Sequence, residues 1–253
     1  MSILQAKNLT KVYGSNEHNV NRAVDNISLQ IEEGEFTAVM GPSGSGKSTL
    51  VSMLCGILQP SSGEVSICGE KINEMDKLSL ALFRRRKLGF VFQDFNLLDN
   101  LTVKENIILP MAMDDRKKEE MEAAADRLMK QFGIYECRDQ YPYEISGGQM
   151  QRTAVSRALV NQPILIFADE PTGNLDSKSS AAVMKSFATI NEETKTAILM
   201  VTHDVYAASF CRHVIFIKDG RIHMDIRKKG SRAEFFQQIL DCQAVVGGES
   251  YEL

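Results

Sequence analysis

Eight residues, Gly41-Pro42-Ser43-Gly44-Ser45-Gly46-Lys47-Ser48, match the pattern G-x-x-x-x-G-K-[ST] and are named here the phosphate loop. In this pattern the glycines let backbone N–H groups turn towards phosphate oxygens, and the following helix directs the positive end of its dipole at them. The lysine reaches the β- and γ-phosphates, and the hydroxyl after it binds Mg²⁺. The residues expected to contact a nucleoside triphosphate are Gly41, Pro42, Ser43, Gly44, Ser45, Gly46, Lys47, Ser48 and Thr49.

Two adjacent carboxylates follow the apolar segment Ile164 to Ala168. Asp169 closes this segment and is placed to hold Mg²⁺, directly or through water. Glu170 comes next and is the candidate to polarise an attacking water. The alternative is that both carboxylates belong to a solvated strand end, which the presence of a phosphate loop disfavours.

A second glycine-rich segment, Ser146-Gly147-Gly148-Gln149, precedes a helical pattern that runs through Met150 to Leu159. A helix N-terminus of this kind is also suited to bind an anion. One triphosphate cannot occupy both cradles if they lie far apart in one subunit. Two copies of the chain arranged head to tail would bring one cradle of each copy together.

The elements around these segments read as alternating strands and helices. Strands are expected over 3–13, 26–31, 36–40, 64–68, 164–169, 196–202, 214–217 and 221–226, with helices over 47–58 and after capping-box patterns at 102–105 and 231–234. The phosphate loop therefore lies between a strand and a helix, as a genuine one must. The basic residues Arg84 to Lys87 are expected to form the solvated face of a helix.

The pattern predicts four units along the chain. They are 1–92, the first part of a nucleotide-binding α/β core; 93–158, a helical subdomain with the Ser146 segment; 159–228, the second part of the core; and 229–253, a short C-terminal helical appendage.

Composition and charge narrow the class of protein. The 253 residues carry a net charge of −4, which gives no basic surface for nucleic acid. No run approaches the roughly 18 apolar residues of a membrane-spanning helix, and Met1 to Gln5 lack the pattern of a signal peptide. Five scattered cysteines show no metal-ligand spacing. A cytoplasmic protein that binds no nucleic acid is expected.

Together these segments resemble the ATP-binding cassette (ABC) family over nearly the whole chain. The resemblance implies an α/β fold: a P-loop NTPase (RecA-like) core with N-terminal antiparallel β strands and an inserted helical subdomain. It implies ATP and Mg²⁺ as cofactors, and a homodimer in which Ser146 to Gln149, named here the signature segment, closes on ATP bound by the partner.

The resemblance also assigns roles to single residues. Tyr13 is expected to stack on adenine, Gln93 to sense Mg²⁺ and the γ-phosphate, and His203 to act as the switch histidine. Asp176, in Gly173-Asn174-Leu175-Asp176, is expected at the dimer contact. The implied catalytic residues are Lys47, Glu170 and His203; the metal-site residues are Ser48, Gln93 and Asp169; and the residues acting in trans are Ser146, Gly147, Gly148, Gln149 and Asp176. His18, His213 and His223 are expected at the surface or in packing.

Within the family, residues 92–106 and 168–176 look like the lipoprotein-release and macrolide-exporter branch. Residues 214–220 and 235–248 look more like the bacitracin-resistance ATPases. That likeness implies a role at the cytoplasmic face of the membrane, driving a separate permease that clears antimicrobial peptides, with a sensor histidine kinase as a further partner. Phe95, Leu97 and Leu98 form an apolar cluster that is either a permease contact or core of the helical subdomain.

Two other functions remain as alternatives. A soluble ABC protein acting on nucleic acid or the ribosome would be expected to have a long coiled-coil insertion or two cassettes, and neither is present. A nucleotide-gated scaffold without hydrolysis would be expected to lose Glu170 or His203. The sequence therefore favours an ATP hydrolase that drives a membrane transporter.

Overall fold

The computed structural model describes residues 2–14 and 21–247, so His18 and Gly248 lie outside the described residues. The strands are β1 (Ser2–Tyr13), β2 (Asn21–Glu32), β3 (Phe36–Met40), β4 (Ser62–Ile67), β5 (Glu70–Lys71), β6 (Leu88–Val91), β7 (Leu165–Asp169), β8 (Ala197–Val201), β9 (His213–Lys218) and β10 (Arg221–Arg227). The helices are α1 (Lys47–Leu54), α2 (Lys77–Lys87), α3 (Val103–Ala112), α4 (Lys118–Gln131), α5 (Gly147–Leu159), α6 (Ser177–Thr194), α7 (Val205–Ala208) and α8 (Arg232–Gly247).

A six-stranded sheet forms the centre of the molecule, in the order β10-β9-β3-β8-β7-β6. Strands β9, β3, β8, β7 and β6 run parallel, and β10 pairs antiparallel with β9. Every residue of β3 and β8 is buried, which is why these strands read as continuous apolar runs. Parallel strands of this kind are covered by other elements on both faces.

The carboxyl ends of four neighbouring strands place the candidate residues at one edge of this sheet. The strand β3 leads into Gly41, β8 into His203, β7 into Glu170, and β6 into Gln93. Ligands of open α/β sheets bind outside the carboxyl ends of the strands. The strand order therefore brings together residues that are far apart in the sequence.

A second, four-stranded sheet has the order β2-β1-β4-β5 and is antiparallel throughout. The prediction of N-terminal antiparallel strands beside an α/β core is confirmed. Both predicted capping boxes are also present. Thr102 and Glu105 exchange hydrogen bonds at the start of α3, as Ser231 and Glu234 do before α8.

Helices α3, α4 and α5 occupy the segment predicted to be a helical subdomain, and they pack on one another and on the sheet. Val103, Ile107 and Met129 share one continuous buried core with Met40 and Ile166. None of the helices within residues 2–14 and 21–247 is long and apolar enough to cross a membrane.

Several local predictions differ from the structure, and the strand predicted over 26–31 begins already at Asn21. The first helix ends at Leu54 rather than at residue 58, because Gly56 adopts a left-handed conformation with φ 70°. The strand β6 was not expected. The prediction that the basic residues form a solvated helix face was wrong for Arg84 and Arg85, which are half-buried. The Arg84 guanidinium donates to the Gly56 carbonyl, and Arg85 pairs with Asp114 at 3.2 Å.

Candidate functional site

The phosphate loop is held by close backbone contacts that only glycine allows. A Cβ on Gly41 would lie 2.1 Å from the carbonyl oxygen of Ile217 on β9, and a Cβ on Gly46 would lie 2.0 Å from that of Ala23 on β2. Gly46 has φ 98° and precedes α1 without a side-chain cap hydrogen bond. The first N–H groups of α1 are therefore free of capping side chains, which suits this helix N-terminus to an anion.

Lys47 folds back over the loop. Its Nζ donates hydrogen bonds to the carbonyl oxygens of Gly41 and Pro42, both at 2.9 Å. Burial lowers the pKa of Lys47, and the charges of Glu170 and Asp169 oppose that shift. Since both acceptors are neutral carbonyls, the ammonium keeps its charge available for a phosphate.

Asp169 ends β7 beside Lys47 and Glu170. Burial and the neighbouring charge of Glu170 raise the pKa of Asp169, and the charge of Lys47 opposes the rise. A cation at this carboxylate would relieve both effects. The Asp169 carboxylate and the Ser48 hydroxyl are hard oxygen ligands of the kind that Mg²⁺ takes, so the residues present fit the ion.

Glu170 and His203 form a pair across the ends of β7 and β8. The Nδ1 of His203 lies 2.9 Å from the Oε1 of Glu170, within hydrogen-bond distance. Glu170 has a left-handed φ of 45°, and its N–H donates to the carbonyl of Val201 at 2.9 Å. The Glu170 side chain is 17% exposed and that of His203 is 72% exposed, so the carboxylate is inside the site and the imidazole faces outwards.

Gln93 is connected to the segment after β7 through Asn174. The Asn174 side-chain amide donates to the Gln93 carbonyl at 3.2 Å and to Asp94 Oδ1 at 3.1 Å. A Cβ on Gly173 would lie 3.1 Å from the Gln93 side-chain nitrogen. The segment of Gln93 and the segment leading to Asp176 are thus in direct contact.

The signature segment caps its own helix. The Ser146 N–H donates to Gln149 Oε1 at 2.8 Å, the Ser146 hydroxyl donates to the same oxygen at 2.9 Å, and the Gln149 N–H lies 3.4 Å from Ser146 Oγ. The Gln149 side-chain amide also contacts Cys137 Sγ at 2.9 Å. Among the described residues, no hydrogen bond joins this segment to the phosphate loop.

Asp176 lies next to the signature segment and caps α6. Its carboxylate accepts hydrogen bonds from the N–H groups of Lys178 and Ser179 and from the Ser179 hydroxyl, which lower its pKa. A Cβ on Gly148 would lie 2.8 Å from the same hydroxyl oxygen. The structure therefore brings Asp176 and the signature segment together in one chain.

Tyr13 ends β1, and the residue is 43% exposed. The Nζ of Lys11 lies 5.5 Å from the ring centroid. An exposed aromatic face is open to a ligand base. Of the remaining histidines, His223 is exposed, as expected, while His213 is buried between Glu35 and Asp225.

Two residues that organise the site were not predicted. Buried Gln151 on α5 donates to the carbonyl of Pro171 at 2.6 Å, which ties the signature helix to the residue after Glu170. Asn174 connects the Gln93 segment as described above. Asn174 stands inside a motif already singled out, whereas Gln151 lies in an amphipathic helix with no signal of its own.

The comparison with known proteins agrees with this geometry. The family model described as ABC transporter matches residues 24–173, which contain the phosphate loop, the signature segment and Glu170. The chain belongs to the ABC transporter family. It is an ATPase cassette of that family and binds ATP with Mg²⁺, as the resemblance implied.

Relatives of this ABC cassette match it over its full length. It is 51% identical over 253 residues to an uncharacterized ABC transporter ATP-binding protein, YvcR, of Bacillus subtilis, covering 100% of this chain and 98% of that protein. It is 45% identical over 249 residues to the bacitracin export ATP-binding protein BceA of Halalkalibacterium halodurans, covering 98% of each.

A solved structure shares the fold of the cassette. The dimeric post-hydrolysis state of the ATP-binding cassette MJ0796 of Methanocaldococcus jannaschii, bound to ADP and Pi, superposes with a TM-score of 0.83 at 40% identity. The match covers 90% of this chain and 100% of that chain. The predicted P-loop NTPase fold is confirmed.

Proposed function

We propose that the chain is the ATP-hydrolysing subunit of a transporter that gives resistance to antimicrobial peptides of the bacitracin kind. Two copies form a head-to-tail dimer with two composite ATP sites, and the dimer drives a separate permease from the cytoplasmic face of the membrane. The near full-length likeness to BceA supports the peptide substrate. A lipoprotein-release or macrolide-type exporter is the alternative.

The pair of Glu170 and His203 beside Lys47 carries the proposal of hydrolysis. The Glu170 carboxylate orients the attacking water and accepts its proton, while His203 holds the γ-phosphate end of the site. Lys47 and the first N–H groups of α1 hold the β- and γ-phosphates. Ser48, Asp169 and Gln93 would hold Mg²⁺, and the bound ion would neutralise charge on the phosphate oxygens. Tyr13 stacks on the adenine.

A second subunit completes each site. The signature segment caps its own helix and has no hydrogen bond to the phosphate loop of its own chain among the described residues. The part of its helix N-terminus that the capping box leaves unsatisfied is therefore available to a ligand held by another subunit. The cassette MJ0796, solved as a dimer, supports the arrangement in which Ser146 to Gln149 and Asp176 face ATP bound by the partner.

A groove between α2, β6 and α3 is the proposed permease contact. It has a volume of about 440 Å³, and its wall is largely apolar, with Phe90, Phe92, Leu109, Pro110 and Met113 among the lining residues. Arg84 and Arg157 border it and donate to neutral carbonyl oxygens, and neither makes an ion pair within the part of the chain that the structure describes. These features fit an amphipathic cytoplasmic helix of the permease with acidic residues.

Phe95, Leu97 and Leu98 extend this surface. Phe95 and Leu97 are half-buried, and Leu98 is 45% exposed. Asn96, between them, lines the groove.

We expect Met113→Glu to abolish capture of the permease while the isolated cassette keeps its ATPase activity. Leu78→Glu, at an exposed apolar residue of α2 that is not among the lining residues of the groove, is the matched control; equal capture by both variants would contradict this contact.

The assignment of Glu170 is tested by Glu170→Gln. We expect ATP to bind with unchanged affinity, turnover to fall about 10²–10³-fold, as is typical when one preorganised group is removed, and a closed dimer to accumulate with ATP. Turnover is measured by phosphate release and dimerisation by size-exclusion chromatography. The control is Glu193→Gln on the exposed face of α6. Turnover of Glu170→Gln at the wild-type rate would refute the role.

The peptide substrate is tested with the permease that co-purifies with the cassette. Cells that express both proteins are expected to survive higher bacitracin concentrations than cells in which the cassette carries Glu170→Gln. Equal bacitracin survival, with a change in macrolide survival or lipoprotein release instead, would favour the alternative exporter. A sensor histidine kinase is expected among the proteins retained with the permease.

A further inference from the structure

The C-terminal helix α8 packs directly on the short helix that follows His203. Phe235, Ile239 and Val246 are buried in the same core as Ala207 and Ala208 of α7. This contact fixes one face of α8 along α7. The outer face of α8 is solvated.

A cation–π cluster strengthens this contact at the start of α8. The guanidinium carbon of Arg232 lies 4.3 Å from the ring centroid of Phe210 and 5.4 Å from that of Tyr206. The two rings meet edge to face at 5.3 Å. Such contacts are attractive even at exposed sites, so the start of α8 is held against the end of α7.

The other end of α8 reaches the His203 backbone. Gln243 is half-buried, and its side-chain amide lies 3.4 Å from the carbonyl oxygen of His203, in position to donate a long hydrogen bond. The same peptide group is also held at its N–H, because the Asp204 N–H donates to Thr202 Oγ1 at 3.0 Å. The Tyr206 N–H donates in turn to Asp204 Oδ1 at 2.8 Å.

Two successive contacts connect helix α8 to the groups proposed to act in hydrolysis. Gln243 contacts the backbone of His203, and the imidazole of His203 contacts Glu170 at 2.9 Å. The imidazole is 72% exposed, so few contacts of its own hold it in place. Its position therefore depends on the backbone that carries it.

We propose that Gln243 is a positioning residue for hydrolysis, which orients His203 towards Glu170 by donating a hydrogen bond to the His203 carbonyl. The inference rests on the role proposed above for His203. Among the described residues no hydrogen bond joins Gln243 to the phosphate loop, so we expect its loss to affect turnover and to leave ATP binding intact. Helix α8 is then part of the support of the catalytic site.

The test compares Gln243→Glu with Gln243→Lys and a control. Gln243→Glu keeps the shape of the side chain but replaces the donor by an acceptor that repels the carbonyl. We expect kcat to fall about 3- to 10-fold, the range of one neutral hydrogen bond, with KM for ATP within about twofold. Gln243→Lys restores a donor and is expected to recover most of kcat. Gln238→Glu, exposed on the same helix, is the control for charge on α8.

Two further measurements separate positioning from general support of the fold. The imidazole resonances of His203 are expected to shift in Gln243→Glu and not in Gln238→Glu, and the chain has only 4 histidines to assign. Single-turnover hydrolysis in a His203→Ala background is expected to show no further loss from Gln243→Glu. Unchanged kcat in Gln243→Glu, or the same fold-loss with and without His203, would overturn the inference.

The failure of this inference differs from failure of the proposed function. If His203→Ala hydrolyses ATP at the wild-type rate, the role of His203 falls and the role of Gln243 falls with it. If His203→Ala is impaired and Gln243→Glu is not, only the inference about Gln243 is overturned. Equal unfolding midpoints for Gln243→Glu and Gln238→Glu establish that the comparison concerns folded proteins.

Discussion

Helices α1 and α5 both begin in glycine-rich segments, but their N-termini are satisfied in different ways. Helix α1 follows Gly46 and has no side-chain cap. Helix α5 follows Ser146, whose side chain and backbone exchange hydrogen bonds with Gln149 in a complete capping box. Helix α1 leaves its first N–H donors available to a ligand. Helix α5 satisfies some of its first N–H groups with the side chains of Ser146 and Gln149.

We expect this difference in capping to distinguish α1, which binds ATP, from α5, which closes on ATP bound by the partner subunit. A capping box occupies donors that a phosphate would otherwise use, so α5 alone is a weaker anion site than α1. The Ser146 hydroxyl, which donates to Gln149 Oε1 in this structure, has to turn away from Gln149 to reach a phosphate. We therefore expect ATP to bind first at the phosphate loop and the signature segment to engage it only in the dimer.

The largest effect is expected at α1. Lys47→Ala removes the ammonium that the loop carbonyls hold in place, and ATP affinity is expected to fall about 10- to 10²-fold, the range for loss of a hydrogen bond from a charged group. Titration with a fluorescent ATP analogue measures the affinity. Lys185→Ala, an exposed lysine of α6, should bind as the wild type does. Wild-type affinity in Lys47→Ala would remove the distinction between the two helices.

A smaller effect on binding, confined to the dimer, is expected at α5. Ser146→Ala is expected to bind ATP normally and to lose about 10²-fold in turnover. Mixing Ser146→Ala with Lys47→Ala creates heterodimers with one intact composite site, so the mixture should regain part of the activity that neither variant shows alone. A mixture that stays as inactive as its components would argue against action in trans.

The smallest effect is expected from Gln149→Ala, which breaks the capping box but leaves Ser146 in place. The free energy of unfolding is expected to fall by about 1 kcal/mol, the usual value of an N-terminal cap, and urea denaturation measures it. ATP affinity of the monomer should not change, because the phosphate loop keeps all its contacts. A loss of ATP affinity in this variant would show that the two helix termini are coupled within one chain.

The sequence predicts the chemical groups of the site better than their arrangement. Lys47, Asp169, Glu170 and His203 stand in motifs with strong spacing, so each could be named from the residues and the family resemblance. The 2.9 Å contact between Glu170 and His203 depends on β7 and β8 being neighbours in the sheet. That order results from pairing between distant segments, which no local pattern records.

Local signals also explain which elements were missed. The strand β6 has four residues and directly follows α2 without a turn residue. Neither its length nor a turn residue at its start therefore indicates a strand. A Cβ on its Gly89 would lie 2.7 Å from the carbonyl oxygen of Ala158. This close approach exists only in the folded chain, so the sequence does not indicate it. Gln243 was not predicted for the same reason, since its acceptor lies 40 residues away.

The close contacts of the phosphate loop affect how sequence variation in this protein is interpreted. A side chain at Gly46 would collide with β2 in the four-stranded sheet, and one at Gly41 with β9 in the six-stranded sheet. The loop is therefore one of the places where the two sheets meet, as well as the proposed cradle for phosphate. We expect variants at these two glycines to be inactive because the two sheets no longer pack correctly. A mutational survey of nucleotide recognition therefore has to rely on Lys47 and Ser48.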